Sequence, residues 1–168
     1  MNNDAKSEIC ALLHRCGDEL AQQLVADPYI QTVRSTLAEG ATAEQVLEKA
    51  VELDALLRFW GLMQPREQQR TATCLGIVPS AFQEHASTID VCKFVSAVNN
   101  DLLSDFAAML KLSHASEASR DEVRTLVGDE LMLNGVLSVL THIQPQLMHK
   151  IADSMGIKRT PEDDDATV

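Results

Sequence analysis

Aromatic residues are scarce in this chain, 4% of 168 positions, with Trp60 the sole tryptophan. An interior with so few rings is expected to be aliphatic, filled by Leu, Val, Ile, Ala and Met. Breakers are scarce too: seven Gly and five Pro interrupt a composition rich in residues that enter helices at little cost. Strand-like alternation is missing, and no repeat of fixed period marks a solenoid.

Basic charge is also short, 14 Lys and Arg against 25 Asp and Glu, for a net charge of -11. Such a field repels phosphate backbones and anionic membranes. The densest basic cluster, Lys158-Arg159, runs into Glu162, Asp163, Asp164 and Asp165. No apolar run approaches the ~18 residues of a membrane span, so no membrane insertion is expected. The opening MNNDAKSE has an acid and no apolar stretch, unlike a signal peptide, and a cytoplasmic location is expected. Cys10, Cys16, Cys74 and Cys92 form no C-x-x-C pair and sit in apolar helical patterns. They read as buried free thiols of a reducing compartment.

What is present is a succession of helix signals. Ile9, Leu13, Cys16, Leu20 and Leu24 share a face, and Asp27-Pro28 supplies a cap and first-turn proline for a second helix through Ile30, Val33 and Leu37 to Gly40. Thr42-Ala-Glu-Gln45 is a capping box, followed by the stripe Val46, Ala50, Leu53, Leu57 and Trp60. Trp60 on that stripe is expected in the core. Gly61, Gln64 and Pro65 end or kink this helix, and Pro65 opens another that Gly76 closes. A short segment starts at Pro79. Ser87 or Thr88 is expected to cap the next, with Ile89, Cys92, Val95 and Val98 on one face, and Asn99-Asn100-Asp101 begins a helix over 101–112.

The polar stretch 113–119 is the best internal linker, and Ser119 with Glu122 forms a second capping box. The following helix is expected to pause at Asn134-Gly135. Pro145 opens the last one, stopped by left-handed Gly156 with Ile157 touching back. The expected fold is therefore all-α, a single bundle of about seven to nine helices over 1–157, divisible in the linker 113–119. Residues 158–168 read as a disordered acidic tail.

Phosphate loops, nucleophile elbows and H-E-x-x-H are all missing, so no catalytic, cofactor-binding or metal-binding residue is assigned and no cofactor is expected. Cys10 with His14, and His149 with Asp153, are each at helical spacing, but two ligands make half a metal site. His142 and His149 flank Pro145, while His85 and His114 lie near helix ends, where surface or capping roles are usual. Ser113, Ser116 and Ser119 read as a serine-rich turn.

The remaining candidate is a surface in LLRFWGLMQPREQQR, residues 56–70. Arg58, Arg66 and Arg70 surround Trp60 and Met63, and Trp, Met and Arg are enriched where proteins bind proteins. The plain alternative pairs these arginines with Glu67, Glu48 or Glu52 on solvated helix faces. Arg58, Met63, Arg66 and Arg70 are taken as the candidate partner-binding residues.

Ile9-Cys10, Asp54-Ala55-Leu56, Arg58-Phe59, Pro65-Arg66 and Cys74 resemble the pattern of an uncharacterised bacterial family often encoded beside type VI secretion genes. The resemblance covers the first half of the chain; tandem tryptophans that the family carries after the proline are replaced here by residues around Arg70 to Thr73. It implies a bacterial accessory role and no catalytic residue. The expected function is thus a non-enzymatic protein–protein interaction module, an adaptor, chaperone or regulator, with another protein as partner. One alternative is a small metal-dependent helical enzyme using Cys10, His14, His149 and Asp153. Another is a helical nucleic-acid-binding regulator reading through Gln68-Gln69-Arg70-Thr71, against which the acidic balance argues.

Overall fold

The computed structural model describes residues 19–20, 22–34, 37, 39–113, 115–154 and 156. The expectations for Ile9, Cys10, Leu13, His14, Cys16, His114, Ile157 and the tail 158–168 lie outside the described residues. Among the described residues all regular structure is helical, as the composition and spacing predict. The elements are α1 (helical at 19–20 and 22–26), α2 (Pro28–Arg34), α3 (Ala43–Leu62), α4 (Pro65–Leu75), a 3-10 turn (Pro79–Ala81), α5 (Phe82–Ala86), α6 (Val91–Ala97), α7 (Asn100–Met109), α8 (Arg120–His142) and α9 (Pro145–Ser154). No described helix is long and apolar enough to cross a membrane.

Local chemistry sets most boundaries. Thr42 and Gln45 exchange side-chain and backbone hydrogen bonds at the start of α3 (3.2 and 2.9 Å), and Ser119 and Glu122 do the same for α8 (3.3 and 2.6 Å). Pro65 occupies the first turn of α4, and Gly76, at φ 69°, ends it in the left-handed conformation that a side chain would strain. At α6 the expected cap is corrected: Asp90 accepts from the Lys93 N–H at 2.7 Å, while the Ser87 and Thr88 hydroxyls donate back to Glu84 and His85 carbonyls and finish α5. The carboxylate wins because it sits at the N-cap, one residue before Val91.

The long helices α3 and α8 pack on each other and form the centre of the fold. There the expected pause at Asn134-Gly135 is corrected, because α8 runs unbroken through 23 residues. Gly135 serves packing: a Cβ there would lie 2.3 Å from the Val51 carbonyl oxygen and 2.9 Å from the Ala55 Cβ. Hydrogen at that position lets the two helices close together.

The interior is mostly aliphatic, as the composition predicts, and the phenylalanines are gathered inside it. All four phenylalanines are fully buried, and their rings form a chain across four helices. Phe59 meets Phe106 edge-on at 4.8 Å, Phe106 stacks on Phe94 at 5.8 Å, and Phe94 meets Phe82 at 6.1 Å. Few rings suffice when each helix directs its own to one place. Residues on both sides of the 113–119 stretch, Phe106 and Val127 among them, belong to one continuous core.

The cysteine expectation also changes. Cys74 is half-buried and Cys92 exposed, both as free thiols. The buried stripe of α6 is Val91, Phe94 and Val95, continued by Val98, which turns Cys92 outward.

Candidate functional site

The corner between α3 and α4 carries the residues singled out in the sequence. Helix α3 ends at Leu62 because Met63 (φ -74°, ψ 142°) and Gln64 (φ -72°, ψ 159°) are extended ahead of Pro65. The Trp60 carbonyl then accepts from the Met63 N–H at 3.2 Å and from Gln68 Nε2 at 3.0 Å, which ties the corner shut. The Trp60 ring lies flat on Phe82, 4.0 Å between centroids and 6° between planes, and the residue as a whole is half-buried. Trp60 is thus the outer end of the aromatic chain.

Its neighbours divide. Met63 is buried, with the Thr71 hydroxyl 3.6 Å from its sulfur, so it leaves the set of residues that can face a partner. The extended turn after α3 folds Met63 against α4, a placement that composition does not register. Arg70 is half-buried and joins Asp105 of α7 at 2.6 Å, in place of the expected Glu67, Glu48 or Glu52. Arg58 and Arg66 are exposed. Leu62, one turn after Arg58, is 60% exposed. Of the reading-helix residues, Thr71 is buried, Gln68 holds the Trp60 carbonyl and Arg70 holds Asp105, leaving Gln69 exposed.

A second constellation, missed in the sequence, lies where α2, α3, α8 and α9 meet. Asp27 is buried, accepts from the Tyr29 N–H at 2.9 Å, and reaches the Gln144 N–H ahead of α9 at 3.2 Å. The Tyr29 hydroxyl donates to buried Asp54 of α3, and the Tyr29 ring stacks on His142 at 4.7 Å and 11°. His142 Nδ1 lies 2.7 Å from the Ser138 carbonyl oxygen, a contact that places a proton on Nδ1, and 3.8 Å from Asp54 Oδ2. Among the described residues that Oδ2 has no hydrogen-bond partner. Burial, then the hydrogen bond and charge of Asp54, push the Tyr29 hydroxyl well above the ordinary tyrosine range. Tyr29 therefore remains a neutral donor. The arrangement clamps helix ends. The Asp27-Pro28 cap was legible in the sequence, whereas the Asp54–Tyr29 and Asp27–Gln144 pairs join positions 25 and 117 residues apart.

Two hollows lie on the surface of the described residues. One of about 400 Å³ is bordered by Leu37, Gly40, Gln45, Glu48, Lys49 and Glu52, and Lys49 reaches from it to the Ile89 carbonyl at 2.9 Å. Burial lowers the Lys49 ammonium from its ordinary range, an effect that neighbouring Glu52 and Asp90 oppose. The other, about 490 Å³, lies between Leu112, Ala115 and Ala118 on one side and Ala107, Ala108 and Val123 on the other. His149 is half-buried and Asp153 exposed on α9; their suggested co-ligands Cys10 and His14 lie outside the described residues. Among the described residues no three His, Cys, Asp or Glu converge as a metal site. Comparison with family models, curated proteins and solved structures found no match.

Proposed function

We propose that this chain is a non-enzymatic protein–protein interaction module, an adaptor, chaperone or regulator, that engages its partner through the exposed corner of Arg58, Leu62 and Arg66, with Arg70 at the margin. The observation that carries the reading is Leu62, 60% exposed with Arg58 one turn before it and Arg66 four residues after it. An apolar side chain set among arginines, in a chain of net charge -11, has the composition of a recognition patch that takes an acidic, partly apolar surface. The family resemblance favours a partner within a bacterial secretion system.

The test follows from the placements. Arg70 contributes to the α4–α7 contact, so the clean variant is Arg58→Glu with Arg66→Glu, both on exposed positions. Affinity purification of the tagged full chain from its native cell, read by mass spectrometry, should recover a reproducible partner that this variant loses. A double variant that melts like the parent and retains every partner would end the proposal.

A further inference from the structure

Helix α8 has a second face that the core does not use. Its buried side carries Val123, Val127, Leu131, Gly135 and Val139. On the opposite side Leu126, Leu133 and Leu137 are 37%, 46% and 51% exposed, while Leu140 beyond them packs against the core. The spacing of seven and then four residues keeps these leucines in one row along the helix. The row runs about 16 Å, three helical turns, a length suited to another helix laid alongside. Isolated exposed leucines are ordinary on proteins, whereas a row at this spacing is the pattern by which one helix packs along another.

The charges around the row choose the occupant. Between Thr125 and Thr141 the helix carries Asp129 and Glu130 and neither Lys nor Arg. Glu130 is partly exposed one turn before Leu133, and the residue that follows Leu133 is the neutral Asn134. Arg124, the nearest basic residue of α8, is committed elsewhere: its guanidinium donates to the Val98 carbonyl at 3.1 Å and to Asn100 at 3.2 Å, and also bonds the Val95 carbonyl at 2.5 Å. A second copy of this chain would bring the same acids and a second net charge of -11 to the contact. We infer that the outer face of α8, through Leu126, Leu133 and Leu137 with Glu130 on its flank, docks a basic amphipathic helix of a partner protein.

This surface is separate from the arginine corner, so each stands or falls alone. The probe is a synthetic peptide of leucines at heptad spacing on a lysine background, about four to five turns long. It is titrated into the full chain beside a scrambled peptide of equal composition and a leucine–glutamate counterpart. The leucine–lysine peptide should bind alone among the three, more weakly as salt rises. Leu133→Gln with Leu137→Gln should weaken it at least about tenfold without lowering the melting temperature; Glu130→Lys should weaken it too, and Arg58→Glu with Arg66→Glu should leave it unchanged. Equal binding of the scrambled peptide, or indifference to the glutamine pair, overturns the inference. So does a wild-type dimer that the glutamine pair dissolves, since a second copy would then hold the face. A marked loss of thermal stability in the glutamine pair would show the row covered by the chain's own residues and would overturn it as well.

Discussion

Gly135 of α8 meets the backbone of α3 at Val51 so closely that a methyl group there would stand 2.3 Å from the Val51 carbonyl oxygen. Alanine favours a helix over glycine by about 1 kcal/mol, but here the helices would have to part. Gly135→Ala should therefore destabilise the fold by about 1–3 kcal/mol, the usual range for overpacking a core. Gly128, in the same helix with nothing within 4 Å of its would-be Cβ, supplies the contrast. Gly128→Ala should stabilise by about 0.5–1 kcal/mol. Urea denaturation of both variants checks the pair, and a neutral Gly135→Ala would refute the packing role.

The Tyr29–Asp54 contact should be visible at high pH. Tyr29→Phe leaves a buried Asp54 oxygen without its donor and should cost about 1–3 kcal/mol at neutral pH. The folded-state pKa of Tyr29 is raised above the unfolded value of 10.0, so its contribution is complete below that value and fades as pH rises beyond it. Wild type and Tyr29→Phe should accordingly converge in stability above about pH 10. Denaturation curves at pH 8 and at pH 11 would measure this, and a constant gap would contradict it.

Trp60 lies between core and surface. Its indole covers Phe82 while the residue remains partly exposed, so Trp60→Ala should cost about 2–3 kcal/mol, below the loss typical of a fully buried tryptophan. Trp60→Phe should restore most of it by keeping a stacked ring. A thermal melt of both variants decides; an unchanged melting temperature for Trp60→Ala would mean that the stack contributes nothing to folding.

The start of α8 should respond to acid. Hydrogen bonds from the Ser119 backbone, and then from its hydroxyl, hold the Glu122 carboxyl below its ordinary 4.5. A depressed carboxylate stabilises above its unfolded pKa, and the contribution is lost as pH falls through the lower folded value. Glu122→Gln keeps an acceptor for the Ser119 N–H but no titrating group, so its stability should vary less than wild type's between pH 5 and pH 2. Ser119→Ala should cost about 1 kcal/mol at neutral pH through loss of the cap. Equal acid sensitivity of Glu122→Gln and wild type would exclude this carboxylate as a source.

The Arg70–Asp105 pair should matter little for stability. Both side chains are substantially exposed, 33% and 47%, so solvent screens the attraction. Arg70→Ala should cost at most about 1 kcal/mol, and a double-mutant cycle with Asp105→Ala should give a coupling below that figure. A coupling of several kcal/mol would show instead that Arg70 holds α4 on α7.

Helix identity and most helix ends were legible in the residues themselves. Thr42 with Gln45, Ser119 with Glu122, Pro65, Gly76 and Pro145 act through bonds and dihedral limits confined to a few neighbouring residues. Such signals do not depend on where the rest of the chain lies. At α6 the same local chemistry is present in Asp90, but Ser87 and Thr88 offer competing hydroxyls that in fact serve the preceding turn.

Tertiary structure alone decided which residues meet. Periodicity marks an apolar face without saying whether a helix has one neighbour or two, so α8 could bury Val127 and Leu131 while leaving Leu133 and Leu137 outside. The same limit hid the burial of Met63, the pairing of Arg70 with Asp105, and the meeting of Asp27 with Gln144 across 117 residues. Gly135 shows the reason most directly: a glycine inside a helical pattern is a break by local propensity, and becomes a contact point once α3 packs against it, because the cost of a methyl group there is set by an atom 84 positions away in the sequence.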